Sequence, residues 1–249
     1  MSDTSVRCAD PGEAADLAAF LGRLLHYDKA AAVRLQAAAG ALAVFGRPPS
    51  FEVLAIRTVR LAPQPAARTF DVTVSAGDLL ETVDEATARF AVPAPVTGPP
   101  WAGLLPPRGG WHREPVALLP QAVRGAVAQA VAEFRTRMER LAPAGRTRAE
   151  LDRIGREVWS RTVGDTSLPV RAAHAAQALG FLRPPAPPQT RAQAPDATSP
   201  RLPHDADDPD AAHSLALFSS GAWLRLRTPY GSVAVRRGGL GMLGISPRS

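Results

Sequence analysis

Three glycines near the end of the chain spell a nucleotide-binding pattern without the context that it needs. Gly239, Gly241 and Gly244 match GxGxxG after a predicted strand. That pattern binds a dinucleotide only when a helix follows, because the helix N-terminus holds the pyrophosphate. The sequence ends at Ser249, which leaves too few residues for such a helix. We therefore expect no nucleotide cofactor at these glycines.

The residue types that bind metals or carry out acid–base chemistry also lack the required spacing. The aspartates between Asp205 and Asp210 suggest a calcium loop, but the needed glycine is absent and Ala216 stands at the twelfth position. The five histidines are scattered without paired metal spacing, and Asp152 and Glu157 do not share a helix face. We expect no catalytic residue, no cofactor and no metal site, and thus a non-enzymatic protein.

A basic β-hairpin is predicted over residues 222–237. Its turn, Thr228-Pro229-Tyr230-Gly231, has proline and glycine at the positions that favour a type I turn. The expected register pairs Arg227 with Ser232, Arg225 with Ala234 and Trp223 with Arg236 on one face, and Leu226 with Val233 and Leu224 with Val235 on the other. The second face would pack on the body of the protein. The first gathers arginines beside a tryptophan, a composition typical of phosphate and base binding.

Three predicted helices precede this hairpin, which is the order of a winged helix-turn-helix. In that arrangement helix 169–179 would enter the major groove with Arg171, His174 and Gln177. Two features are atypical: the bend at 163–168 is long, and about thirty residues separate the last helix from the hairpin. The alternative for His174 is a half-buried or surface position on the helix.

The segment GPPWAGLLPPRGGWHREP (98–115) holds two tryptophans in a frame of proline and glycine. Trp101, Arg108, Trp111 and His112 would line a pocket or a partner groove. Alternatively, the tryptophans cover the core between the two halves of the chain.

The elements that position these residues predict an α+β fold, with an N-terminal helix and antiparallel sheet followed by a helical region and a β-hairpin. Apolar spacing of three and four residues predicts helices at 11–25, 121–141, from Thr147 and at 169–179, and a short one from Asp78. Alternating patterns predict strands around Gly40, at Phe51–Leu61 and at Thr69–Ser75. The expected segments are an α/β domain (1–91), a Pro/Trp-rich loop (92–120), a helical region (121–182), a disordered acidic Pro-rich linker (183–213) and a basic hairpin with its tail (214–249).

Positive charge is concentrated in the second half of the chain. The net charge is +6, and all but one of the 29 basic residues are arginine, the exception being Lys29. Residues 1–100 carry 9 basic and 11 acidic side chains, residues 101–183 carry 13 and 7, residues 184–213 carry 2 and 5, and residues 214–249 carry 5 and none. This distribution favours an anionic partner for the second half, or alternatively a solvated arginine-rich surface.

A cytoplasmic, soluble protein is expected. The only cysteine, Cys8, cannot form an internal disulfide, which fits a reducing compartment. The first 16 residues lack the apolar region of a signal peptide. No apolar run approaches the ~18 residues of a membrane-spanning helix.

Two resemblances extend this interpretation. Residues 33–81 (VRLQAAAGALAVFGRPPSFEVLAIRTVRL…TFDVTVSAGDLLE) resemble, in the rhythm of helix and strand, one module of a DNA sliding clamp. The resemblance implies that fold but not encirclement of DNA, because only one module is present and helix 11–25 carries Glu13 and Asp16. The stretches VTGPPWAGLLPPRGGW, ELDRIGREVWSRTVGDTSLPVRAAHAAQALGFL and WLRLRTPYGSVAVRR are similar to a family of uncharacterised actinobacterial proteins, which implies no function.

These observations predict a nucleic-acid-associated or regulatory protein that binds through its arginine-rich second half. The binding residues would be Arg171, Trp223, Arg225, Arg227 and Arg236. One alternative is a protein-interaction module that docks the Trp/Pro loop and the hairpin onto an acidic partner. A third class, an enzyme of unfamiliar type, would need a deep pocket near Trp101, Trp111 and His112.

Overall fold

A computed structural model describes residues 5–63, 69–183 and 215–237. It has an α+β fold, as the sequence predicts. In chain order the elements are β1 (Ser5–Arg7), α1 (Pro11–Tyr27), β2 (Ala32–Ala38), β3 (Ala41–Gly46), β4 (Leu54–Arg60), β5 (Phe70–Ser75), α2 (Ala76–Glu81), β6 (Arg89–Ala91), β7 (His112–Arg113), α3 (Pro120–Arg140), α4 (Arg148–Trp159), α5 (Val170–Ala178), β8 (Ala216–Ser220), β9 (Trp223–Thr228) and β10 (Gly231–Arg236).

One antiparallel sheet joins the two ends of the chain. Its eight strands have the order β5-β2-β3-β4-β10-β9-β8-β7, while β1 and β6 form a separate pair. The junction lies between β4 and β10, where Ala55 is opposite Val233. The β9–β10 hairpin is therefore in the interior of the sheet, next to a strand of the N-terminal third.

The first face of the sheet, here called the core face, is apolar and covered by helices. Alternate residues of the strands point to one side of a sheet, and on this side they are fully buried in every central strand. They include Val33, Leu35, Leu42, Val44, Leu224, Leu226, Val233 and Val235. Against them pack α1, through Leu17, Phe20 and Leu24, and α5, through its buried alanines. These contacts place a single large core between the sheet and the helices.

A cluster of ion pairs crosses the same junction. Asp10 caps α1 by accepting a hydrogen bond from the backbone N–H of Glu13. Arg57, on the core face of β4, places Nη2 3.0 Å from Glu13 Oε2 and donates from Nη1 to the carbonyl of Tyr230 at 2.8 Å. Arg183 binds Asp16 and lies over the Tyr230 ring, 3.6 Å from its centroid. The N-terminal helix is thus tied to the hairpin turn through buried charge.

The local predictions agree closely with the structure. The hairpin around Gly40 is β2–β3, and the register predicted for β9–β10 is found at all five predicted pairs. Thr147 caps α4 by accepting from the N–H of Glu150. The short helix begins at Ala76 instead of Asp78, because the Ser75 side chain accepts from the N–H of Asp78 and caps it there. The Pro-rich loop contains a 3-10 turn at Pro100–Gly103 and the short strand β7.

The winged helix-turn-helix arrangement is wrong. A wing projects from its helices, whereas β10 is flanked by β4 and β9 within the sheet. Helix α5 is packed on the core face with Ala172, Ala173, Ala175 and Ala176 buried, so it cannot enter a DNA groove. The linker predicted at 183–213 lies outside the described residues from 184 onward, as do Gly239, Gly241, Gly244 and Asp205 to Asp210. In the described ranges no helix has the length and apolar character to cross a membrane.

Candidate nucleic-acid interface

The second face of the sheet, here called the outer face, carries arginines and aromatic rings over β7–β10. Cross-strand partners in an antiparallel sheet point to the same side. One row across the strands consists of Arg113, Phe218, Arg225 and Ala234. In the neighbouring rows Trp223 lies opposite Arg236, and Arg227 lies opposite Ser232. Ala234 belongs to a small apolar cluster with Phe45, Leu54 and Ile56, separate from the main core. None of the strands β7–β10 contains an acidic residue.

Each hairpin arginine lies near an aromatic ring. The guanidinium carbon of Arg225 is 6.0 Å from the ring centroid of Trp111, that of Arg227 is 5.3 Å from Phe218, and that of Arg236 is 5.8 Å from Trp223. All six side chains belong to partly exposed residues, and Arg113 is exposed. Arginine over an aromatic ring is held by cation–π attraction. The outer face thus presents positive charge and flat rings side by side.

The Trp/Pro loop crosses this face. Trp101 and Leu105 pack on the cluster of Phe45, Leu54 and Ile56, so Trp101 covers the outer side of the sheet. Trp111 precedes β7, which pairs His112 with Ser219, and its Nε1 donates to the carbonyl of Pro107 at 2.9 Å. The loop therefore has two parts: Trp101 is a packing residue, and Trp111 borders the arginines of the hairpin.

Arg108 contacts the edge strand β5, and His112 lies on β7. Arg108 is 81% exposed and places Nη2 3.8 Å from Asp71 on the edge strand β5. Asp71 is already held by Arg34 at 2.7 Å, and this hydrogen bond is the main reason why the pKa of Asp71 is lowered. His112 is exposed on β7. Trp101, Arg108 and Trp111 thus have different contacts: the outer apolar cluster, Asp71 and Arg225, respectively.

Much of the basic charge of the helices is neutralised locally. Arg137 reaches Glu133 at 2.7 Å and Glu157 at 2.8 Å, and Arg161 also binds Glu133. Arg153 binds Glu150 at 2.6 Å. Hydrogen bonds from these arginines lower the pKa values of Glu133, Glu150 and Glu157. The surface of α3 and α4 is therefore a network of ion pairs more than a basic face.

Arg171 lies on the helix side of the sheet. It belongs to a groove between α4, α5 and the ends of β9 and β10, and Arg236 lines the same groove. His174 stacks on Trp159 at a centroid distance of 4.8 Å and meets Phe51 edge-on. Burial lowers the pKa of His174, which keeps the ring neutral near pH 7. His174 is thus a half-buried packing residue, the alternative that the sequence left open.

Other reactive groups offer little chemistry. Within the described ranges, no three His, Cys, Asp or Glu side chains lie together as metal ligands would. Cys8 is buried, and this burial, with Glu13 and Asp10 nearby, raises the pKa of its thiol to about 11. Since the thiolate is the nucleophile, Cys8 is unreactive.

Sequence reasoning missed several residues of these surfaces. Arg113 and Phe218 are brought to the hairpin by strands too short or too weakly patterned to be predicted. Arg156 and Trp159 lie on α4 beside Arg171. The short apolar run Ala216–Phe218 is a weak local signal for a strand there.

The chain belongs to a family whose members share a domain of unknown function (DUF8185), since the model of that domain matches residues 106–240, more than half of the chain. Residues 1–103 match a second domain of unknown function (DUF8010). No curated protein and no solved structure matches the chain. Because β4 belongs to the first domain and β10 to the second, the two domains share one sheet.

Proposed function

We propose that this protein is a non-enzymatic nucleic-acid-binding protein that holds a single strand on the outer face of β7–β10. The observation that supports this is the composition of that face: Arg113, Arg225, Arg227 and Arg236 alternate with aromatic rings, and no acid interrupts them. A reducing, cytoplasmic location is proposed with it, from the single cysteine.

The outer face offers both contacts that a single strand uses. Arginine binds phosphate oxygens with two parallel hydrogen bonds. Bases stack on exposed aromatic rings regardless of their identity, with about 1–3 kcal/mol per base. Strands lie ~4.8 Å apart, so the four strands from β7 to β10 extend about 14 Å. That width suits a short stretch of nucleotides.

A single strand fits the surface better than a duplex. Reading the major groove requires a protruding helix or ribbon, whereas α5 is packed on the core and the hairpin lies within the sheet. A flat sheet face with partly exposed rings instead contacts bases that are already unstacked.

Binding is tested by fluorescence anisotropy of a labelled oligothymidylate and oligouridylate at about 50 mM salt. Replacing both hairpin arginines (Arg225→Gln with Arg227→Gln) should weaken binding at least tenfold and reduce its salt dependence, because two phosphate contacts are lost. A matched control replaces Arg135 and Arg140, which are both exposed on α3, by Gln. This variant removes the same amount of charge from a different surface.

Trp111 is a second position for substitution. Its replacement should have little effect on folding, because Trp111 is a partly exposed residue of the loop. Trp111→Leu should weaken binding, and Trp111→Phe should retain most of it, because phenylalanine keeps a stacking surface. No binding by the wild type at low salt, or an equal loss in the α3 control, would refute the proposal. If polyglutamate competed as well as the oligonucleotides, an acidic protein partner would replace nucleic acid as the preferred function.

A further inference from the structure

A groove of about 1030 Å³, here called the α4 groove, opens between α4, the start of α5 and the ends of β9 and β10. Arg148, Arg156, Arg171, Arg236 and Arg237 line it, against the two carboxylates Glu52 and Asp152. Its wall therefore has an excess of positive charge. A concave site with several convergent cations concentrates anions.

The arginines of the groove differ in what they already bind. Arg148 is held by Asp152 at 3.0 Å and Arg237 by Glu114 at 3.3 Å. Arg156 is exposed and contacts no carboxylate within the part of the chain that the structure describes. Arg156 is thus available to an anionic ligand.

Arg171 is a second arginine of the groove without a close carboxylate. Its side chain is 16% exposed and its nearest carboxylate oxygen, on Glu52, is 4.0 Å away. Its Nε is buried without a hydrogen-bond partner among the described residues. Because Nε itself is buried, the exposed part of the Arg171 side chain lies on its other atoms, and these border the groove. Arg156 and Arg171 thus both line the groove, and among the described residues neither has a carboxylate oxygen closer than 4.0 Å.

An aromatic surface lies beside these two arginines. Phe134 and Trp159 line the groove with ring centroids 5.6 Å apart and planes inclined by 41°. Trp159 is supported from behind by the neutral ring of His174. Gly155 lies next to both rings and leaves space in front of them; a Cβ there would be 3.6 Å from Trp159 Cδ1, an ordinary contact. Flat apolar surface and arginine together suit a ligand with a ring and a phosphate.

We propose that the α4 groove is a binding site for a nucleoside phosphate. The base contacts Phe134 and Trp159, and the phosphate lies between Arg156 and Arg171. Arg236 borders both the groove and the outer face, so the ligand is either a free nucleotide or the phosphorylated end of a strand. Nucleotide binding here does not require a strand on the outer face.

Calorimetric titration of the full chain with nucleoside monophosphates tests the site. Arg156→Gln should weaken binding roughly tenfold, the effect of losing one charge-assisted hydrogen bond. Gly155→Ala should also weaken it, because its methyl group fills space beside the rings without removing a protein contact. Arg135→Gln, the matched control on α3, should bind as the wild type does. Unphosphorylated nucleosides and inorganic phosphate alone should bind more weakly than the monophosphate.

Competition separates the two sources of the ligand. Displacement of the monophosphate by an oligonucleotide with a terminal phosphate, and not by the same strand without it, would identify a strand end; no displacement by either would identify a free nucleotide. Both results support the site. Absence of nucleotide binding by the wild type at millimolar ligand, or an equal loss in Arg135→Gln, would overturn it.

The two surfaces are distinguished by their own variants. The outer-face variant (Arg225→Gln with Arg227→Gln) should retain monophosphate binding, and Arg156→Gln should retain binding of an unphosphorylated strand. Arg236 is left unchanged in both because it borders both surfaces. Failure of one site therefore leaves the other testable.

Discussion

Replacing Arg57 by methionine should destabilise the protein more than any single change on its surface. The Arg57 side chain is only 8% exposed and that of its partner Glu13 only 11%. The guanidinium also reaches Asp16 at 3.1 Å and the carbonyl of Tyr230 at 2.8 Å. Methionine keeps an apolar stem in the core but removes all of these contacts between α1, β4 and the hairpin turn.

The magnitude follows from what remains after the change. Removing one partner of a buried ion pair costs about 3–5 kcal/mol when the other charge is left alone. Here Glu13 keeps Arg60 at 2.7 Å, and Asp16 keeps Arg183. The expected loss in the free energy of unfolding is therefore about 2–3 kcal/mol. Arg60→Met is the control: its side chain is 62% exposed, so its loss should stay under about 1 kcal/mol.

Urea unfolding followed by two probes measures this loss. The four tryptophans lie between residues 101 and 223, so fluorescence reports on the second half, whereas circular dichroism reports on both. Because the sheet joins the halves, the two curves should coincide and shift together without a change in slope. A cost for Arg57→Met no larger than that for Arg60→Met would refute the role of the buried cluster, and separated curves in the wild type would refute a shared folding unit.

Two further predictions concern the sheet junction and His174. We expect neither fragment 1–103 nor fragment 106–240, expressed separately, to unfold cooperatively, because β4 and β10 each lose a sheet neighbour. Mixing the two fragments should restore a cooperative transition. A cooperative transition in either fragment alone would contradict this. The wild type should lose stability as the pH falls below about 6.5, the unfolded value for His174, since burial lowers the pKa of the folded state. The stability contributed by the neutral His174 ring is complete above that pH and is lost as the pH falls through the lower pKa of the folded state. The urea midpoint of His174→Gln should therefore decrease less on acidification than that of the wild type.

The hairpin could be predicted because its determinants are local. Alternation of apolar and polar residues determines which side each residue faces, and the turn at Pro229 and Tyr230 determines the register. The structure shows Arg225 opposite Ala234 and Leu226 opposite Val233, as expected. Helices α3 and α4 were predictable for the same reason, through apolar periodicity and the Thr147 cap.

The neighbour of β10 could not be predicted. Pairing with β4 joins Ser232 to Ile56, residues far apart in the chain, and a strand sequence does not specify its distant partner. One clue was present: Ser232 and Ala234, assigned to a solvent-facing side, are small, and both are buried. A strand that is buried on both faces belongs in the interior of a sheet. A second long-range pairing, of β7 with β8, places Arg113 beside Phe218 on the outer face, and the sequence does not specify that partner either.

The proposed function assigns binding to strands whose own sequence contains no acid, and not to the helices where arginines are most frequent. Residues 101–183 contain 13 arginines, but their spacing from glutamate and aspartate by three or four positions produces ion pairs such as Arg153–Glu150 and Arg137–Glu133. Strands β7–β10 carry four arginines and no acid. The slope of log affinity against log salt distinguishes the two surfaces, because each phosphate contact with a single strand adds about −0.7. Four contacts on the outer face give a slope near −3, whereas binding by the helices would approach the steeper slope of about ten contacts.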